Sequence, residues 1–162
     1  MIKPNTLAES FSRNVEIVKL QTQGMTHEDS LVQLPFRANC MNWVLGHLVT
    51  NRNSILKLLQ AEDLIDSTSM KHYERESEPI TGDDEGTLPL EQLIQMLEQA
   101  QADIQRLLVE IKDEELTRQV AFYGRRAMTI AEWLFFFYFH DTYHTGQTEI
   151  LRQAAGKNDK II

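Results

Sequence analysis

Two histidines four residues apart in FHDTYHTGQ, residues 139–147, are the part of this sequence best equipped for chemistry. On a helix His140 and His144 share one face, and imidazoles at i and i+4 can close on a single ion. The segment also lies one methylene away from H-E-x-x-H, the zinc-protease motif, with Asp141 in the glutamate's place. Asp141 is shorter than that role asks, and it points about 100° off the histidine face of a helix. Such proteases also need a third ligand, often downstream, yet residues 145–162 hold no histidine and Glu149 as their lone glutamate. The protease reading fails. A di-iron bundle fails as well, because it requires paired glutamates and Glu-x-x-His motifs that are missing here.

The elements that must carry these residues are legible from hydrophobic period. Thr129-Ile-Ala-Glu132 spells a capping box and Gly156 follows Ala155 as a stop, so a helix runs between them. Its apolar seam reads Ile130, Trp133, Phe137, His140, His144, Gln147 and Leu151, which puts both histidines inward. An earlier helix, capped by Asn39 and running to about Leu59, carries the seam Cys40, Val44, His47, Asn51, Ser54 and Leu58. TLPLEQLIQMLEQAQADIQRLLVEI is a third helix, with Leu90, Leu93, Leu97, Ala100, Ile104, Leu107 and Ile111 at alternating spacings of three and four and Thr87 as its cap. Leu7, Phe11, Val15 and Val18 mark a first helix. The expectation is an all-α chain, one domain over 1–162, built as a four-helix bundle with long crossover connections near 21–38, 60–87 and 112–128. The last connection fits a short helix from Asp113 followed by a hairpin turning at Gly124.

Two seams, one on the second helix and one on the fourth, turn polar near their middles. One supplies His47 and Asn51, the other His140, His144 and Gln147. So many polar groups on inward faces are costly unless they satisfy each other or bind something. A divalent metal is one solution: three neutral imidazoles suit Zn, Ni or another borderline cation and leave positions open for water or substrate. Hydrogen-bonded core histidines are the other. Asn51, one turn after His47, can orient an imidazole or sit as a plain helix amide, and Gln147 divides between the site and an interhelical bond. Asp141 divides between a carboxylate that supports the histidines and a solvent-exposed residue, the second being favoured; Trp43 and Trp133 read as core rather than substrate platforms, and Cys40 as core and not a ligand. His27 and His72 lie in polar loop contexts. Gly46, inside a helix, implies a close helix approach beside His47.

Bulk properties narrow the partners. At 162 residues the chain can bury a real core, and a net charge of −8 argues against nucleic acid, which needs a basic stripe. The same charge repels anionic lipid, and no run approaches the roughly 18 apolar residues of a membrane span. A single cysteine, with no apolar signal core at the N-terminus, points to the cytoplasm. WLFFFYF, residues 133–139, is apolar around the whole helix. Either a second copy of the chain or one of the crossovers must cover its outer side.

The stretches NWVLGHLVTNRNSIL at 42–56 and TIAEWLFFFYFHDTYHTGQTEILRQAAGK at 129–157 resemble the DinB/YfiT-like family of metalloenzymes. His47, His140, His144, Gly146 and Gln147 match that family's pattern in order and spacing. The resemblance implies a four-helix bundle that binds a divalent metal through His47, His140 and His144, often as a homodimer. Some relatives look like transferases or isomerases that use a low-molecular-weight thiol such as mycothiol or bacillithiol. For this chain that implies a metal-dependent, thiol-dependent transferase or hydrolase acting on a small electrophilic substrate. The alternative is a non-catalytic metal- or ligand-binding stress-response protein.

Overall fold

A computed structural model describes residues 3–62, 67–124 and 126–161. Among them the long helices are α1 (Pro4–Thr22), α3 (Met41–Leu58), α4 (Leu90–Glu110) and α6 (Ile130–Ala154). Two short helices, α2 (His27–Ser30) and α5 (Asp113–Thr117), lie in the connections, and a 3-10 helix spans Ser67–Tyr73. The two-residue strands β1 (Gln119–Val120) and β2 (Met128–Thr129) pair antiparallel. The all-α class and the short helix from Asp113 are as expected, and the hairpin turns at Gly124 (φ 65°). No described helix is long and apolar enough to cross a membrane.

Each long helix packs on two others: α3 against α4 and α6, and α1 against the same pair. The adjacency of α3 and α6 is what matters for the histidines. The apolar seams meet in two clusters: Val44, Leu48, Leu93 and Leu97 at one end, and Phe11, Ile104, Trp133 and Phe137 at the other. Between them α3 is buried on nearly every side, with Lys57 its one exposed residue. A 3.6-residue stripe understates such a helix, because loops cover the face a simple bundle would leave to water.

Helix starts follow local chemistry only in part. The capping box of α6 is present: Glu132 N–H donates to Thr129 Oγ1 at 3.2 Å, and Thr129 N–H donates to Glu132 Oε2 at 2.8 Å. Asn39 and Thr87 are not the caps expected; Cys40 and Pro89 hold those positions and neither side chain makes a capping bond. At α4 the job passes to His27, whose Nδ1 accepts the Leu90 N–H at 3.3 Å. A residue distant in sequence satisfies a donor that local reasoning assigned to a neighbour.

Gly46 is explained by Tyr73. A Cβ built on Gly46 would lie 2.0 Å from Tyr73 Cδ1, so the 3-10 segment, and not another long helix, is what approaches. The gain of up to about 1 kcal/mol that alanine brings to a helix interior cannot be realised where the ring must be displaced.

Candidate metal centre

His47 of α3 and His140 and His144 of α6 come together in the middle of the fold. One ring nitrogen from each lies within 4.8 Å of the others, a grouping able to hold a metal ion. His47 Nε2 and His140 Nε2 are 3.2 Å apart. Two nitrogens bound to one ion at about 2.0–2.1 Å in tetrahedral geometry sit about 3.3 Å apart, so this pair already has the right separation.

Hydrogen bonds decide which lone pairs face the centre. His47 Nδ1 donates to the Tyr73 carbonyl at 2.7 Å, which leaves Nε2 as the bare nitrogen. His144 Nδ1 donates to Gln147 Oε1 at 2.7 Å, with the same consequence. His140 Nδ1 is buried without a hydrogen-bond partner among the described residues, so no such bond fixes its tautomer. The Asn51 amide lies 3.2 Å from His47 Nε2 and also donates to the His47 carbonyl at 2.8 Å. Trp43 stacks on His47 with centroids 4.6 Å apart and planes 14° from parallel.

Electrostatics favour neutral rings. Burial pushes the His47 imidazole down to about 4, against the Tyr73 hydrogen bond that favours its charge. Burial, then the two neighbouring histidines, push His140 down to about 3. Burial also lowers His144, opposed by Gln147 and Asp141. Neutral imidazole is the metal-binding form. The donor set therefore fits a borderline divalent cation.

Asp141 is where the sequence reading needs correction. It is 1% exposed, not solvated. Asp141 Oδ2 accepts from Arg52 Nη2 at 2.8 Å and from Asn14 Nδ2 at 3.1 Å. Arg52 Nη1 donates in turn to Gln101 Oε1 at 2.6 Å, so one buried polar cluster ties α1, α3, α4 and α6 together beside the histidines. Arg52 lies off the apolar seam of α3, which is why the seam did not reveal it. Of the remaining histidines, His72 packs against Gly86 and His27 joins Asp83 and α4, so neither approaches the centre. Cys40 is buried and its Sγ sits 3.6 Å from the Ile80 carbonyl, as a core residue would.

The histidines floor an open cleft. Trp43 is buried as expected, yet it also forms part of the wall, with Phe139 and Tyr143 opposite. Tyr138 instead packs edge-on against Phe11. Sequence reasoning passed over two contributors, Tyr73 and Tyr123. Gly46 was the signal for the first; for the second the only trace was its place beside the Gly124 turn.

Comparisons with known proteins bear on the fold and the family. No curated protein sequence matches the chain. A conserved protein of Enterococcus faecalis has a similar solved structure, with a TM-score of 0.73 at 17% identity over 96% of this chain and 98% of that one. That likeness speaks to the fold. The family model of the DinB superfamily matches residues 22–148, a span that includes His47, His140 and His144. The chain belongs to the DinB superfamily.

Proposed function

We propose that His47, His140 and His144 hold one divalent ion, Zn or Ni, and that the protein is a metal-dependent enzyme acting on a small electrophile with a low-molecular-weight thiol. The observation that supports the metal part of this reading is the grouping of one ring nitrogen from each histidine within 4.8 Å, with Nδ1 of His47 on the Tyr73 carbonyl and Nδ1 of His144 on Gln147, so that Nε2 carries the lone pair in both. A bound divalent ion would supply nucleophile activation, since it stabilises thiolate or hydroxide at neutral pH. The chain's own residues do the positioning. The Tyr73 carbonyl fixes the His47 tautomer, Gln147 fixes that of His144, and the Asn51 amide stands at the floor of the cleft to orient what enters. In a transfer, sulfur bonds to the electrophilic carbon while the leaving group departs with the bonding pair and the thiol proton passes to solvent. In hydrolysis, water takes the place of the thiol.

The experiment is a screen of the Zn- or Ni-loaded protein with thiols and electrophilic acceptors. Thiol-dependent consumption of the acceptor is expected, abolished by chelation and restored by metal. Full metal occupancy without turnover of any acceptor would favour a binding protein over an enzyme.

A homodimer is part of the same reading. Phe135, Phe139, Tyr143 and Ile150 remain 53–65% exposed along one side of α6, left open by the described residues of either crossover. A second copy would remove it from water. Sedimentation at micromolar concentration should give the mass of two chains; a clean monomer would reject the dimer.

A further inference from the structure

The cleft above the histidines runs against the charge of the whole chain. The sequence holds 24 acidic residues and 16 lysines and arginines, yet none of the described residues lining the cavity of about 620 Å³ is acidic. Its floor is the three histidines and the Asn51 amide. Its wall is aromatic, from Trp43, Tyr123, Phe136, Phe139 and Tyr143, and Arg75 is the one cationic side chain there. Asp141, beside the histidines, is paired with Arg52 and does not line the cavity.

Arg75 stands two residues after Tyr73, the end of the 3-10 segment whose carbonyl holds His47. Its Nε lies 3.8 Å from Glu76 Oε1, with the two side chains 80% and 83% exposed. An ion pair so open to water contributes little, so the anionic group of a ligand can replace Glu76 at small cost. Arg75 also lines the adjoining cavity of about 370 Å³, where Lys57 is a second cation and Glu74 the one carboxylate. A divalent ion on the histidines would add charge of the same sign. The guanidinium is planar and can fork onto both oxygens of a carboxylate, while the aromatic faces favour a flat apolar body. A volume of this size lies in the usual range for small-molecule sites.

We propose that the larger cavity binds an apolar carboxylate: a flat hydrocarbon body of aromatic-ring size that carries one anionic group. The aromatic wall takes the body and Arg75 takes the carboxylate. The proposal rests on the reading above only in calling this molecule a substrate, because the binding itself needs no ion. A cationic ligand, which an aromatic cage could otherwise attract, meets Arg75 with no carboxylate on the wall to offset it. A small hydrophilic anion finds the cation but leaves the aromatic wall in water. Only a molecule with both parts satisfies the whole cavity.

The test is calorimetry on the full chain, metal-free and Zn-loaded, with three probes of one shape: 2-naphthoate, the neutral 2-naphthamide and the cationic 2-naphthamidine. In the metal-free protein naphthoate should bind about fivefold or more tightly than naphthamide, and naphthamidine should bind weakest. Arg75→Gln should bring naphthoate to within about twofold of naphthamide and leave naphthamide unchanged. Arg75→Lys should keep part of the preference, since it loses the fork but not the charge. Phe139→Ala, at an exposed position on the wall, should weaken all three probes alike. Arg106→Gln, an equal change of net charge on α4 outside the cavity, should alter none of them. A preference for naphthoate that survives Arg75→Gln, or that exists only with Zn present, overturns the proposal. So does tightest binding of naphthamidine, or failure of naphthoate to bind at millimolar concentration. An Arg75-dependent preference in a protein that takes up no Zn would instead uphold this site and reject the metal centre.

Discussion

His47→Ala is expected to empty the metal centre. Losing an outer hydrogen bond to a ligand costs roughly 10–100-fold in metal affinity, and losing a ligand should exceed that. His72→Ala is the control, because His72 packs against Gly86 in the same loop region without reaching the centre. Elemental analysis of both variants and the native protein, after equal exposure to Zn or Ni, reads the result. Equal stoichiometric metal in all three would show that the third ligand is another residue. The same assay run against pH carries a second expectation. Free histidine protonates near pH 6.5, but burial holds His47 to about 4 and His140 to about 3 in the fold. Protons should therefore displace the ion well below pH 6.5 while the chain stays folded. Stability of the metal-free protein starts to move at higher pH. Between pH 6.5 and about 4 the unfolded chain binds protons that the native rings refuse, so stability falls as pH falls. Metal loss with a midpoint at 6.5 would mean the rings are more hydrated than this fold allows.

Asp141→Asn should cost about 3–5 kcal/mol of stability, the usual penalty for removing one partner of a buried ion pair. Both side chains are almost fully enclosed, at 1% and 2% exposure, and Arg52 cannot shed its charge. Arg52 Nε and Asp141 Oδ1 already lack partners among the described residues, so the cluster has nothing in reserve to compensate. The surface pair Lys19–Glu98 is the contrast: with side chains 52% and 42% exposed, Lys19→Ala should cost no more than about 1 kcal/mol. Urea unfolding of the two variants measures the difference. A loss below about 1 kcal/mol for Asp141→Asn would show that the pair is not the clamp between α3 and α6 that its geometry suggests. Adding Arg52→Met should return part of the loss, because the stranded charge is what costs most.

Much of this protein can be read without its structure. The capping box at Thr129 and Glu132 and the regular seams place the long helices, since a helix start and a buried face are decided by residues within one or two turns. The same local logic put His140 and His144 inward and singled out His47, because a polar residue on an apolar stripe is conspicuous wherever the stripe goes. What only tertiary structure decided are partnerships between residues distant in the chain. Asp141 looked solvated because it lies off the α6 seam, but Arg52 of α3 and Asn14 of α1 enclose it. His27 looked like a loop residue, but it caps α4 from another segment. Gly46 announced a close approach without naming Tyr73. Tyr123 reached the cleft only because a hairpin folds over α3 with a backbone angle its residue type disfavours. Periodicity reports which side of an element avoids water; which distant group meets it there is set by how the connections fold across the helices, and these carry no period to read.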